Sequence, residues 1–478
     1  MMTTTKGKKM LLGGRWVEKE ETMNVYDPQD NTVITTVPKA SEKDVLVAIK
    51  GAEEGAKVAA HMPTHKRIEI IAEAARYIEK NKEVFANTIA TEGSKTISEA
   101  RGEVARCIHT LRLSAEEARQ INGETLSFDQ MPGHENRIGY YYRFPIGIIA
   151  AITPFNDPLN LVAHKVGPAI ASGNAIIVKP ATLTPISALL LAEAFEQAGL
   201  PKKVLSVITG SGREIGDALV SHPSVRMVSF TGGLETGESI AKTAGLKKLS
   251  MELGSNSPAI VLADADIDEA VNSCVSGAFG AVGQNCLGVQ RVFVEEPHFD
   301  EFVNKFIRKT NEYKTGNKKD EATDMGPLIT EQEAIRVEEW VNEAIAEGAT
   351  LLSGGKRNGA FYTPTVLTDV PSDAKIAKEE IFGPVVILFK AKDLNEAIEN
   401  ANNVNYGLQA GIFTKDINLA FEAIKRLEVG GIMINDSSDY RIDSMPFGGV
   451  KGSGLGREGV KYTIQEMTEP KVVNFKLG

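Results

Sequence analysis

From about residue 41 to 119, apolar positions recur at three- and four-residue intervals among Glu, Lys and Arg, as in KRIEIIAEAARYIEKNKEVFANTIA. That spacing predicts amphipathic helices through most of the stretch. Beyond it the period changes. Short apolar runs, GIIAAIT, NAIIVKP, VLSVIT and VRMVSFTG, each stop near a Gly or Pro and are separated by helix-like segments such as SALLLAEAFEQAG. Continuous apolar runs of this length predict strands buried on both faces, and their alternation with helices predicts βαβ units in a parallel sheet. A second alternation starts after residue 254 with PAIVLADADIDEAVNSCVSGAF and runs through RVFVEE, YTPTVLTDV and VVILFKA to GGIMIND, which predicts a second α/β domain. Two segments fit neither alternation. INGETLSFDQMPGHENRIGYYYRF interrupts the first, and VKYTIQEMTEPKVVNFKLG closes the chain. Both read as strands with no obvious sheet of their own, and both are assigned to an oligomer interface.

A chain of 478 residues exceeds what one hydrophobic core serves, so two or three domains are expected. The net charge of −10 disfavours nucleic acid or an anionic membrane as partner and favours a small molecule. The N-terminal MMTTTKGKKMLLGG carries basic residues without an apolar run and cleavage site, and no stretch reaches the length of a membrane span, so a cytoplasmic protein is expected. Three cysteines, Cys107, Cys274 and Cys286, cannot all pair, and no CxxC or Cys/His ligand spacing occurs. Neither a disulfide framework nor a metal site is expected.

Two glycine clusters follow apolar runs and precede helix-like ones: Gly210, Gly212 and Gly216 in VITGSGREIG, and Gly232, Gly233 and Gly237 in SFTGGLETG. Either could bring backbone N–H groups and a helix N-terminus to a pyrophosphate. Neither is a strict GxGxxG, and a plain turn explains each equally well.

Several separated motifs carry a resemblance that spans nearly the whole chain. In order they are PFN at 154–156, IVKPATLTP at 177–185, AGLP at 198–201, FTGGLETG at 230–237, MELGSNSP at 251–258, GQNC at 283–286, EEIFGPV at 379–385 and PFGGVKGSGLGREG at 446–459. With these the sequence resembles the aldehyde dehydrogenase superfamily. The resemblance implies an α/β fold with a modified Rossmann cofactor domain at 1–120 and 144–253 and an α/β catalytic domain at 254–445. It further implies a small β oligomerisation arm and tail at 121–143 and 446–478, in a homodimer or homotetramer.

The surroundings of Cys286 in GAVGQNCLGVQR are small residues, which leave room for a substrate carbonyl to reach the sulfur, whereas Cys107 and Cys274 read as packing. By resemblance, Cys286 is the nucleophile that attacks an aldehyde to give a thiohemiacetal and, after hydride transfer, a thioester. The side-chain amide of Asn156 and the Cys286 backbone N–H would hold the oxyanion. Without the resemblance, Asn156 beside prolines reads as a turn residue. Glu252, between apolar residues at the end of a short run, matches the general base that activates water for deacylation. Relatives that pass the acyl group to coenzyme A typically lack this glutamate, so hydrolysis to a free acid is expected.

The resemblance also implies NAD or NADP as cofactor. Glu380 and Phe382 match positions that hold the nicotinamide ribose and ring, and Lys179 matches the lysine at the adenosine ribose, although a lysine ending a strand also reads as solvated. Thr153, Pro154, Thr182, Gly212, Gly216, Phe230, Thr231, Gly232, Gly233, Leu253 and Gly254 complete the expected cofactor site. Three departures stand out: Gly233 where a serine is usual, Ser255–Asn256 for the frequent Gly–Lys, and Thr182 where NAD-preferring relatives often place a glutamate. The last leads to the expectation that NADP is accepted, with NAD kept open.

The expected substrate contacts are Arg441, Arg106 and Asn285. Arg441 lies in NDSSDYRIDSMP between Asp439 and Asp443 and either clamps an anionic tail or pairs with those neighbours. Arg101, Arg106, His109 and Arg112 are spaced to share one helix face, as donors to the site or as ordinary surface. The likeness is greater to the branch of lactaldehyde, non-phosphorylating glyceraldehyde-3-phosphate and phosphonoacetaldehyde dehydrogenases, so a small hydroxylated or anionic aldehyde, sulfonated or phosphonated analogues included, is expected. Asn285 stands where some relatives of phosphorylated substrates carry Arg, which weighs against a phosphate. Alternatives are a succinate-semialdehyde or broad-specificity enzyme and, from other classes, a non-catalytic binding protein or a cysteine esterase. The esterase would need a histidine near the thiol, and His61, His65, His109, His134, His164, His222 and His298 fall in no recognisable catalytic motif.

Overall fold

Four helices occupy the first periodic stretch of the computed structural model: Glu42–His61, Thr64–Lys80, Lys82–Glu92 and Ile97–Glu117. Two of them start at reciprocal caps, Ser41 with Asp44 and Thr96 with Glu99, which satisfy backbone N–H groups that a helix start leaves free. The structure describes residues 7–478; residues 1–6, the start of MMTTTKGKKMLLGG, lie outside the described residues.

The apolar runs that follow are strands of an eight-stranded sheet, ordered Arg15–Val17, Met10–Leu12, Leu205–Val207, Ala175–Lys179, Ile148–Ile152, Val225–Thr231, Lys248–Glu252 and Gly454–Leu455. The five strands from Leu205–Val207 to Lys248–Glu252 are parallel and their side chains almost all buried, as continuous apolar runs require. From Ile148–Ile152 the chain adds strands to one side and then returns to add Val225–Thr231 on the other. Such a reversal opens a crevice at the carboxyl ends of the two central strands. Residues 153–156 and 231–233 emerge there.

The second alternation forms a seven-stranded sheet, ordered Thr350–Ser353, Thr365–Thr368, Val385–Ala391, Val289–Glu295, Ser257–Val261, Gln409–Phe413 and Gly431–Ile434. Its parallel strands pack against helices Ile267–Phe279 and Glu331–Ala346 over a core of its own. Cys286 lies in the connection from Ile267–Phe279 to Val289–Glu295.

The two unassigned segments are each other's sheet. Thr468–Lys476 pairs antiparallel along the whole of Arg137–Pro145, which pairs in turn with Glu124–Ser127. The closing segment is not all strand, however: Val460–Glu466 is helical, with Val460, Thr463 and Ile464 buried at helical spacing despite their β-branched side chains. Residues 446–478 divide into three parts. Gly454–Leu455 adds an antiparallel edge beside Glu252, Val460–Glu466 packs on helices Ile97–Glu117 and Asn160–Ala171, and only 468–476 joins the three-stranded sheet. Among the described residues no helix is long and apolar enough to cross a membrane.

Candidate active site

Backbone ends from both halves converge on one cavity of about 330 Å³, lined among others by Asn156, Thr231, Glu252, Cys286 and Arg441. Asn156 follows the strand Ile148–Ile152, and its side-chain oxygen is buried without a hydrogen bond. Glu252 ends the strand Lys248–Glu252 and is 2% exposed, with both carboxylate oxygens unpartnered. A side chain at Gly448 would meet Glu252: its Cβ would fall 2.9 Å from Oε1.

Cys286 sits half-buried against Leu287, Leu408 and Phe447, so one side of the sulfur has an apolar wall that the small residues before it did not foretell. Cys107 and Cys274 are fully buried, as packing residues are. Asn285 lines the cavity, and its Oδ1 accepts from Leu287 N at 3.1 Å, which pins the turn around the thiol. Burial pushes the Cys286 thiol up to about 12, while the Arg441 guanidinium draws it back. Burial also raises Glu252 well above the carboxylate range, reinforced by Glu458 and opposed by Arg441 and Lys165.

Arg441 pairs with neither acidic neighbour. Asp439 accepts from Ser437 Oγ at 2.6 Å, and Asp443 accepts from His164 Nε2 at 2.8 Å and from Arg106 Nη2 at 3.0 Å. Arg441 instead lies with its side chain 8% exposed, its nearest carboxylate oxygen 3.5 Å away on Glu458, and no hydrogen-bond partner for Nε or Nη2. Of the four residues expected to share a helix face, only Arg106 lines the cavity. It bridges Asp157 and Asp443; Arg101 pairs with Glu83 and Glu321, Arg112 with Glu79, and His109 is exposed. At about 3.6 residues per turn Arg106 lies about 140° around the helix from Arg101 and about 120° from Arg112, whereas 101 and 112, about three turns apart, share a face away from the cavity.

Sequence reasoning missed a buried pair behind Glu252. Glu458 accepts from Lys165 Nζ at 2.7 Å, and Lys165 also donates to Ser229 Oγ at 3.0 Å. Burial opposes charge on Glu458, yet Lys165 and Arg441 outweigh it and hold the carboxyl well below its usual range. A signal was present: Lys165 stands inside NLVAHKVGPAIA, a helix buried along its length, and a lysine there needs a partner.

The expected cofactor residues gather along the carboxyl ends of the first sheet. Lys179 Nζ donates to Thr182 Oγ1 at 3.3 Å, and Thr182 Oγ1 donates to Gly210 O at 3.3 Å. Burial pulls Lys179 down to about 8. Gly212 opens the helix Gly212–Ser221 and Gly233 caps Leu234–Ala244, so two helix N-termini face the crevice, while Gly216 lies a turn inside its helix. Phe230 and Leu253 are buried under this edge, Gly232 abuts the Phe230 ring, and Pro154 leads from Thr153 to Phe155, whose ring meets Phe382 edge-on at 5.7 Å. Glu380 accepts from Ser255 N at 2.8 Å, and a Cβ at Gly254 would fall 2.3 Å from Glu380 Oε2. Burial raises Glu380 to about 7. Buried hydroxyls of Thr153 and Thr231 lack partners, which is what a groove built to meet a polar ligand leaves behind.

A thiol, a buried carboxylate and an amide around one cavity beside a dinucleotide-type crevice define a cofactor-dependent oxidoreductase that works through a covalent cysteine adduct. Comparison with known proteins agrees. Residues 16–473 match the model of the aldehyde dehydrogenase family. The chain is 50% identical over 454 residues to aspartate-semialdehyde dehydrogenase 1 of Pseudomonas canavaninivorans, covering 95% of this chain and 96% of that one. It is 46% identical over 479 residues to 3-sulfolactaldehyde dehydrogenase of Priestia megaterium, covering 100% and 99%. The crystal structure of glyceraldehyde-3-phosphate dehydrogenase GapN from Methanocaldococcus jannaschii complexed with NADP superposes with a TM-score of 0.93 at 42% identity, covering 96% and 100%. The chain belongs to the aldehyde dehydrogenase family. Its activity is that of an NAD(P)-dependent aldehyde dehydrogenase.

Proposed function

We propose that this enzyme oxidises a small aldehyde carrying a carboxylate or sulfonate tail to the free acid. The observation that carries the reading is Arg441, a buried guanidinium in the same cavity as Cys286 whose Nε and Nη2 make no hydrogen bond and whose nearest carboxylate oxygen, on Glu458, is 3.5 Å away. A buried cation without a hydrogen-bonded anion is costly, and a substrate tail would relieve that cost. The relatives named above act, by their names, on a semialdehyde of an amino acid, a sulfonated aldehyde and a phosphorylated one; Asn285 in place of Arg before the thiol favours the first two kinds. Arg106 lines the same cavity with its charge taken up by Asp157 and Asp443, which leaves Arg441 as the guanidinium for the tail.

In this reading the Cys286 thiolate adds to the aldehyde carbon, and the oxyanion is met by the Asn156 amide and the Cys286 backbone N–H. NAD(P), held along Lys179, Thr182, the two helix N-termini, Glu380 and Phe382, supplies the hydride acceptor when bound. Glu252, whose burial keeps its carboxylate proton-hungry, takes a proton from the water that cleaves the thioester and frees the thiol. Among the described residues no histidine lines the cavity, which disfavours a cysteine esterase. The Lys179–Thr182 contact supports acceptance of NADP.

The division into a cofactor domain at 1–120 and 144–253 and a catalytic domain at 254–445 is part of the same proposal, as is a homodimer or homotetramer. Exposed Ile138, Tyr142, Phe144, Val472 and Phe475 on the three-stranded sheet support the latter. Reduced-nicotinamide absorbance with carboxylated and sulfonated aldehydes and neutral counterparts of equal length tests the substrate class. Equal kcat/KM for the charged and neutral sets would overturn it.

A further inference from the structure

Three consecutive residues ahead of Cys286 occupy the left-handed region: Ala281 at φ 51 and ψ 34, Val282 at φ 62 and ψ 27, and Gly283 at φ 67. Glycine adopts this conformation freely. Alanine resists it, and a β-branched valine resists it more. Something must therefore hold the turn. Val282 contributes by full burial in the catalytic core. The second hold comes from the other half of the molecule, where Glu99 Oε1 accepts from Ala281 N at 2.7 Å.

Glu99 already has a local task. Its other oxygen, Oε2, accepts from Thr96 N at 2.8 Å and from Thr96 Oγ1 at 3.1 Å, closing the cap of helix Ile97–Glu117. One carboxylate thus fastens a helix start in the first half to the strained turn in the second. A cap alone does not require glutamate: at Ser41 the same role is taken by Asp44. The extra methylene of Glu99 is what lets it reach Ala281 as well. Downstream, Gln284 N donates to Ala281 O at 3.0 Å and Gln284 Oε1 accepts from Ile329 N at 3.0 Å, so the turn's geometry is passed directly to Asn285 and Cys286.

We infer that Glu99 is a positioning residue for Cys286: through the Ala281 N–H it holds the left-handed turn that aims the thiol into the cavity. The inference rests on the reading of Cys286 as nucleophile. It does not place Glu99 in contact with the reacting atoms.

The test is the alkylation rate of Cys286 by iodoacetamide in the full-length protein, followed by peptide mass, alongside kcat and the thermal midpoint. Glu99→Asp keeps a capping carboxylate, as Asp44 shows, but is too short to serve both ends. Alkylation rate and kcat should each fall about tenfold or more, with KM for the dinucleotide unchanged. Adding Ala281→Gly, which accepts the left-handed conformation without the hold, should recover most of that loss. Thr96→Ala weakens the same cap without touching Ala281, and should lower the thermal midpoint while leaving alkylation at the wild-type rate. Wild-type alkylation in Glu99→Asp, no recovery with Ala281→Gly, or an equal loss in Thr96→Ala would overturn the inference. Turnover by Cys286→Ala would instead overturn the nucleophile assignment, which is a separate result.

Discussion

The guanidinium carbon of Arg441 sits over the ring of Phe447, 3.7 Å from its centroid, at the wall of the cavity that holds Cys286. Stacking of this kind uses the face of the planar group and leaves its N–H edge free to meet an anion. Phe447 also belongs to the apolar cluster against Cys286, so one ring orients both the cation and the thiol. A lysine could place a charge here but could not be held in one plane.

Replacing Arg441 should therefore separate substrates by charge. Arg441→Leu is expected to cost anionic aldehydes roughly 2–5 kcal/mol in kcat/KM, the range for losing one partner of a buried charge pair. Neutral aldehydes will lose less, through the thiol alone, because Arg441 also draws the Cys286 thiol down from the value that burial sets. The ratio of the two losses, from steady-state kinetics at one pH, is the diagnostic. Equal losses would assign Arg441 to the thiol and not to the tail.

Cys286 and Glu252 act in different half-reactions and should fail differently. Cys286→Ala is expected to abolish both turnover and acyl-enzyme formation. Glu252→Gln should still release a burst of reduced cofactor, close to one equivalent per site, and then turn over slowly. Rapid-mixing absorbance distinguishes them, and a missing burst in Glu252→Gln would move the glutamate into the first half-reaction.

The pair behind Glu252 carries a stability prediction. Lys165→Met leaves Glu458 charged, fully buried and without its 2.7 Å partner, so unfolding free energy should fall by about 3–5 kcal/mol. The double variant Lys165→Met with Glu458→Gln removes both charges and should regain much of that loss. Urea midpoints of the wild type and the variants measure it. A single variant as stable as the wild type would mean that Glu458 takes up a proton once Lys165 is removed and that the ion pair adds no net stability.

How much of this was legible in the residues depended on whether a signal was local. Buried parallel strands announced themselves, since Ile148–Ile152 is apolar throughout, Ala175–Lys179 is apolar up to its closing lysine, and each stops near a Gly or Pro. Gly454–Leu455 could not, because two residues have no period, and its place beside Glu252 is decided by the partner strand. VKYTIQE reads as strand in the sequence, whereas the burial of Val460, Thr463 and Ile464 at helical spacing decides for helix. At the site, Cys286 and Glu252 stood in motifs, whereas Glu99 looked like any first-turn glutamate. Its bond to Ala281 spans 182 positions and belongs to tertiary structure alone.

The last prediction concerns the dinucleotide and follows from Lys179 and Thr182. Their contact at 3.3 Å sets a cation beside a hydroxyl where a glutamate would repel a 2′-phosphate. Thr182→Glu should shift the ratio of kcat/KM for NADP over NAD toward NAD by on the order of tenfold or more, about 1.4 kcal/mol. The same ratio should depend on pH in the unmodified protein. Burial lowers Lys179 to about 8, so the free enzyme holds the proton below that value and loses it above. Only the charged lysine attracts the 2′-phosphate, hence NADP should lose ground to NAD as pH rises from about 7 through 9, while NAD turnover follows the thiol and base alone. In Lys179→Met the pH trend should vanish. A ratio flat with pH in the wild type and untouched by Thr182→Glu would show that neither residue reads the ribose.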